Sequence, residues 1–225
     1  MKKTMLLGVL MLSAAAGVAQ ESRQDVSFSG AGIFGPTIHS PSQVTQTMTG
    51  AGGLLLSYRY MLTPHSALEL NYSFAQDNQK YCTHGDQCTL GGTLAPTTGT
   101  TSTGQPYGYY RIHSRQQEAI GAYVYSFNFK RYSPFLEAGV GTLIFTPVLD
   151  EETNLLGTKS SKGVAGLMGG GLAYELSPSF DIRVEYRGLL TKTPSFGVNS
   201  SSSLTLNANR YEIISMPVFG VAYHF

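Results

Sequence analysis

Met216-Pro217-Val218-Phe219-Gly220-Val221-Ala222-Tyr223-His224-Phe225 closes the chain. Counting back in twos from Phe225 gives Tyr223, Val221, Phe219 and Pro217, all apolar, while the residues between them are mostly small. A period of two is that of a β-strand, so one face is a greasy stripe ending in aromatic rings and the other is narrow. A tilted strand of about 9 to 11 residues crosses the hydrocarbon of a bilayer. The competing reading is an edge strand ending a soluble sandwich, and the rest of the chain decides between the two.

At the other end, Met1-Lys2-Lys3 precedes an apolar run from Met5 to Ala16, then Gly17-Val18-Ala19 and the polar Gln20-Glu21-Ser22. A basic start, a short apolar middle and small residues at a cut site are the marks of a secretory signal peptide. Residues 1–19 are therefore expected to be removed, leaving 20–225 as one domain. No later stretch is apolar for the ~20 residues that a spanning helix needs. A membrane location then requires a closed barrel, since only helices and barrels satisfy every backbone hydrogen bond in lipid. A net charge of +1 gives no sign of nucleic acid as a partner.

Cys82 and Cys88, the only two cysteines, flank Thr83-His84-Gly85-Asp86-Gln87. In an exported chain an isolated pair reads as a disulfide, and so short a loop adds only about 2 kcal/mol, enough to shape a loop. His84 and Asp86 between the thiols raise a metal site as the alternative, but the spacing differs from that of structural zinc sites and exported thiols tend to oxidise.

Hairpins carry the fold. About Thr63-Pro64-His65, Leu54, Leu56, Tyr58 and Tyr60 share a face with Leu68, Leu70, Tyr72 and Phe74, which sets Arg59 opposite Glu69 and Ser57 opposite Asn71 on the reverse face. About Ser177-Pro178-Ser179, Met168, Gly170, Leu172, Tyr174 and Leu176 meet Phe180, Ile182, Val184, Tyr186 and Gly188. The reverse face alternates Asp181, Arg183, Glu185 and Arg187 opposite Glu175, Ala173, Gly171 and Gly169. Long charged side chains facing small ones describe the filled interior of a small barrel. Glu175 opposite Asp181 should repel, so Arg183 or another strand's cation is expected between them.

A third hairpin turns at Lys130 to Ser133. Leu136, Ala138, Val140, Thr142 and Ile144 face outward and Glu137, Gly139, Gly141 and Leu143 inward, and the preceding arm sends Tyr123, Tyr125 and Phe127 out with Glu118 in. A first strand, Val26 to Gly35, should close on the last. The count is eight, and three tight turns alternate with four long segments at about Pro36–Thr49, Asn78–Tyr107, Pro147–Lys162 and Thr191–Asn209. Short turns belong to the periplasmic side and long loops outside. The loops carry Thr, Ser and Gly tracts such as Asn199-Ser200-Ser201-Ser202-Ser203, which are expected to be mobile. Aromatic girdles are expected at both interfaces: Tyr60, Tyr125, Phe127, Phe180, Tyr223 and Phe225 on the turn side, with Tyr72, Phe74, Phe34 and Phe145 on the other.

The fold class is thus all-β, an eight-stranded antiparallel transmembrane up-and-down β-barrel. The terminal Phe225 strand, the alternating segments and the charged interior resemble those of small OmpA/OmpX-type outer-membrane barrels. The resemblance spans nearly the whole mature chain. It implies a bacterial outer-membrane location, lipid as surroundings, and barrel assembly machinery that reads Phe219, Val221, Tyr223 and Phe225 as a C-terminal insertion signal. No domain is expected after the last strand, so the resemblance does not carry over a peptidoglycan-binding role. Pro217, which donates no ladder bond, is expected near the outer rim or at a bulge.

The inward set Arg59, Glu69, Glu118, Glu137, Glu175, Asp181, Arg183, Glu185 and Arg187 admits three readings: an ion-pair network that fills the lumen, a narrow gated pore, or catalysis. An eight-stranded barrel is just wide enough to hold its own side chains, which favours the first. Lipid-A hydrolases of this size need Ser, His and a carboxylate together, and the adjacent His113 and Ser114 point to opposite faces. Gly139-Val140-Gly141 and Gly169-Gly170-Gly171 precede no helix, so they are not phosphate loops. No catalytic residue, cofactor or metal is assigned. A soluble lipocalin-type barrel would need the reverse polarity. The expected function is a monomeric outer-membrane barrel with a structural or adhesive role, presenting loops to a surface or host ligand. A small channel and a lipid-A-modifying enzyme are the rivals.

Overall fold

The computed structural model describes residues 23–39, 44–83, 99–100, 106–148, 159–196 and 209–225. The expected signal peptide, Cys88, His84, Asp86 and most of the long Thr and Ser tracts lie outside the described residues. Eight long strands form the barrel: β1 (Gln24–Ile33), β4 (Ala51–Thr63), β5 (Ser66–Thr83), β7 (Pro106–Ser126), β8 (Tyr132–Pro147), β9 (Ser161–Ser177), β10 (Phe180–Lys192) and β11 (Tyr211–His224). Each pairs antiparallel with the next, and β1 pairs with β11 from Asp25↔His224 to Ala31↔Val218, so these eight strands close without a free lateral edge. No helix among the described residues is long and apolar enough to cross a membrane, which says nothing against a crossing by strands.

The hairpin registers are those that the side-chain patterns demand. Arg59 pairs with Glu69 and Ser57 with Asn71, and Arg183, Glu185 and Arg187 pair with Ala173, Gly171 and Gly169. Tyr123, Tyr125 and Phe127 are exposed while Ile120, Ala122 and Val124 are buried, so β7 takes the facing that puts Glu118 inside. Outward positions such as Phe28, Leu70, Val184 and Phe219 stay exposed although apolar, the inverse of a soluble protein's surface. On β10 this face runs from Phe180 to Leu190. Those ten steps, at about 3.3 Å each and tilted by about 45°, span about 23 Å, close to the ~25 Å height of an outer-membrane barrel's apolar band.

Three expectations need correction. The segment Pro36–Thr49 is not simply a loop, because β2 (Thr37–His39) and β3 (Val44–Thr49) form a hairpin that adds to the upper part of β5. With the short β6 (Gly99–Thr100) against β7, it extends the sheet beyond the apolar band. Ladder bonds there are satisfied by neighbouring chain, so polar outward residues such as Gln76 and Asn78 do not end the strand. Pro217 sits mid-strand at neither rim nor bulge: it pairs in register with Tyr186, and the β1 ladder halts at Val218 and resumes at the bridge Phe34↔Ser215. Ser215 donates its N–H to Phe34 O at 2.8 Å, so the donor that Pro217 lacks is one that would face β1.

Phe145 belongs to the interior, where it is 2% exposed, and not to a girdle. The aromatic belt is consequently lopsided. At the turn end, Tyr125–Phe127, Phe180–Tyr223 and Tyr132–Tyr174 each pack with ring centroids 5.1 Å apart. Among the described residues the loop end shows few exposed rings, Phe34 and Tyr211 among them.

The closing seam leaves no space for a side chain at Gly220, where a Cβ would lie 2.5 Å from Ser29 Cβ and 2.6 Å from Phe28 O. Gly166 has nothing within 4 Å. Gly220→Val is expected to cost about 3 kcal/mol and to abolish the heat-modifiable gel shift of the folded barrel, whereas Gly166→Ala leaves that shift intact.

Candidate functional site

Every barrel strand sends alternate residues into the lumen, and their order from turn end to loop end layers it. At the turn end Ala67, Val124 and Phe135 form a small apolar seal. Charge follows. Arg183 Nη2 lies 2.7 Å from Asp25 Oδ2, Arg59 Nη2 2.5 Å from Glu69 Oε2, and Arg187 Nη2 2.7 Å from Glu118 Oε1. Arg59 also lies 4.8 Å above the centre of the Phe135 ring, a cation–π contact strengthened by desolvation. Arg187 Nε is 3.4 Å from Glu137 Oε1, and Ser73 donates to Glu118 Oε2 at 2.9 Å. Glu185 is buried on β10 between Arg183 and Arg187, on the same face. Space for these long side chains comes from Gly169 and Gly171, where a Cβ would stand 3.1 Å from Glu137 Cγ and 2.7 Å from Glu185 Cβ.

Two of the expected lumen residues sit apart from this network. Glu175 is exposed at the turn end, because its level on β9 lies at the rim. Asp181, also near the rim, meets His224 Nε2 at 2.8 Å. Among the described residues no cation stands between Glu175 and Asp181: Asp181 meets the imidazole of the last strand, and Arg183 turns to Asp25.

Asp25 and His224 are members that the sequence reading missed. The signal for Asp25 was present in the face it shares with Ser27 and Ser29. That for His224 was absent, because only barrel closure brings β11 to both β10 and β1.

Above the charges the lumen turns apolar. Ile33, Leu55, Leu143, Leu167, Leu189 and Ile214 are buried there, with Met216 and Phe145 beside them. The charged filling thus accounts for the turn half of the lumen and an oily layer for much of the loop half. Sequence alternation could not reveal this layer, since these strands are apolar on both faces at that height. Beyond it Asp77 accepts from Ser114 and, at 2.5 Å, from Gln79 Nε2, which joins Gln46 in a polar cluster against β5 and β7. Phe196, after β10, is 1% exposed and packs edge-on to Tyr81 at 6.4 Å, while Tyr81 Oη donates to Pro194 O at 3.4 Å. The start of the β10–β11 connection is thereby tucked across the mouth. Cys82, the residue after Tyr81, is buried near the end of β5 and pairs with Thr45 of β3.

A closed antiparallel barrel with a lipid-facing exterior is what a sequence comparison also finds: residues 4–225 match the family described as outer membrane protein beta-barrel domain. The chain belongs to that family. It is a protein of the bacterial outer membrane. No curated protein sequence matches it significantly.

Among solved structures, OprG from Pseudomonas aeruginosa is 17% identical with a TM-score of 0.57, covering 92% of this chain and 98% of that one. Neisserial surface protein A is 14% identical with a TM-score of 0.47, covering 91% and 98%. Ail of Yersinia pestis is 15% identical with a TM-score of 0.42, covering 92% and 100%. The likeness to OprG shows the shared fold.

In outer-membrane barrels short turns are periplasmic and long loops extracellular, and this chain's turns and connections are assigned by that rule. The seal, the ion pairs and the oily layer therefore stack from the periplasm outward. Arg187 is the centre of the charged layer, and removing it strands Glu118 and Glu137 in the barrel. Arg187→Met is expected to lower stability by about 3 to 5 kcal/mol, read as the urea midpoint of refolding into vesicles, while Glu175→Ala at the exposed rim stays within about 0.5 kcal/mol.

Proposed function

We propose that the protein is a non-conducting outer-membrane anchor whose extracellular loops are its working surface, with an adhesive role toward a surface or host molecule. The observation that carries this reading is the double obstruction of the lumen, an apolar layer around Leu55, Leu167 and Leu189 stacked on an ion-pair network and capped by Phe196. An ion crossing that layer would shed its water among side chains that offer few ligands, which costs several kcal/mol. Catalysis has little support among the described residues, because Ser114 turns inward to Asp77 and the neighbouring His113 lies on the other face.

Maturation fits the same reading. Residues 1–19 serve as an export signal, and the barrel assembly machinery reads Phe219, Val221, Tyr223 and Phe225. Cys82 joins Cys88 after export, shaping the loop beyond β5, and the barrel acts as a monomer. The purified protein in planar bilayers is expected to give no steady unitary currents, and steady channels would overturn the anchor role. Cells displaying it are expected to adhere to protein-coated surfaces, and to lose that gain when residues 84–98 and 197–208 are replaced by short Gly-Ser links.

A further inference from the structure

Just above the apolar band, past the last β9–β10 pair Ala165↔Thr191, a cavity of about 370 Å³ lies in the barrel wall, lined by the outward Lys162, Lys192 and Tyr211 together with Ser161, Ser195 and the buried, inward-facing Phe145 and Thr193. Strand alternation makes Lys162, Lys192 and Tyr211 outward residues, each directly beyond an exposed apolar one: Val164, Leu190 and Ile213. Lys192 and Tyr211 are register partners. Here two lysines stand beside Tyr211 at the level that an aromatic girdle would occupy.

The cavity is built by fixed bonds. Thr193 donates its N–H to Arg210 O at 2.8 Å, and Arg210 returns its own N–H to Thr193 Oγ1 at 3.2 Å. Ser195 N–H reaches Ser161 Oγ at 3.1 Å, and Lys159 N–H reaches Phe196 O at 2.7 Å. Lys159 and Arg210, both exposed, add two cations to the same strand ends. Glu212, the acidic side chain described on these ends, points into the barrel and is 5% exposed. Among the described residues the outward charges here are therefore all positive, and they stand at the level of the outer leaflet's headgroups.

We infer that this cavity binds the phosphorylated headgroup of an outer-leaflet lipid. Lys162 and Lys192 engage the phosphate, the Tyr211, Ser161 and Ser195 hydroxyls are within the same cavity to donate to it, and the acyl chains lie along Val164, Leu190 and Ile213. Lysine suits this as a compact point charge. A lipid is favoured over a free anion because the cations adjoin an apolar face that only an acyl chain would cover. The inference rests on the outer-membrane orientation and not on the adhesive role.

The test uses the full-length barrel refolded in detergent micelles, titrated with lipid A and followed by native mass spectrometry. Wild type is expected to retain lipid A, to bind its dephosphorylated form far more weakly, and to keep the lipid in the presence of excess inorganic phosphate. Lys162→Gln with Lys192→Gln is expected to weaken binding about 30-fold, Lys162→Arg with Lys192→Arg to restore it, and Lys80→Gln on β5 to leave it unchanged. A heat-modifiable gel shift in each variant shows that the barrel is folded. Equal binding of lipid A and its dephosphorylated form, undiminished binding by the folded Gln variant, or displacement of the lipid by inorganic phosphate would each overturn the proposal. The comparison of the two lipids on wild type needs no variant to fold.

Discussion

Backbone amides in hydrocarbon have no water to turn to, and the molecule is arranged around that constraint. The β1–β11 seam meets it, since pairing the first strand with the last removes the edge that any open sheet would present to lipid. Closure narrows what can stand at the joint, which is why Gly220 faces Ser29. It also brings His224, Asp25 and Asp181 together from three strands. Only Pro217 interrupts the seam, and there the missing donor is on the proline itself, so no N–H of that residue goes unsatisfied.

Closing eight strands leaves an interior that must be filled, and this chain fills it in two chemistries. The three arginines are each matched to a carboxylate within 2.7 Å. Buried pairs of this kind contribute little net stability because desolvation offsets most of the attraction. Their consequence is directional: each arginine has few places where its charge is tolerated, which ties strand register to a particular set of neighbours. The oily layer above contributes by ordinary burial. Together they make the barrel a packed body with an inside-out exterior.

Much of this was legible in the residues. Alternation with charges opposite glycines, Arg187 across from Gly169 and Glu185 across from Gly171, gave both the facing of β9 and β10 and their register. Tyr58, Leu70 and Val184 declared the lipid face by being apolar where their neighbours were polar. The girdle was harder, since Phe145 has the composition of an interface residue and sits in the lumen. Glu175 is chemically a lumen residue, yet its level on β9 leaves it at the rim. Height along the axis follows from strand stagger, and no single strand carries that information.

By itself the sequence determined the things that a two-residue period can encode: all-β architecture, eight crossings, which face meets lipid, and hairpin partners joined by short turns. Those are local properties, settled by alternation and by turns of a few residues. Tertiary structure alone decided which charges meet, where the oily layer begins, that Phe196 returns to cover the mouth, and that Lys162, Lys192 and Tyr211 share one cavity. Each of these joins residues from strands far apart in the chain, and their proximity is set by closure and stagger of the whole sheet.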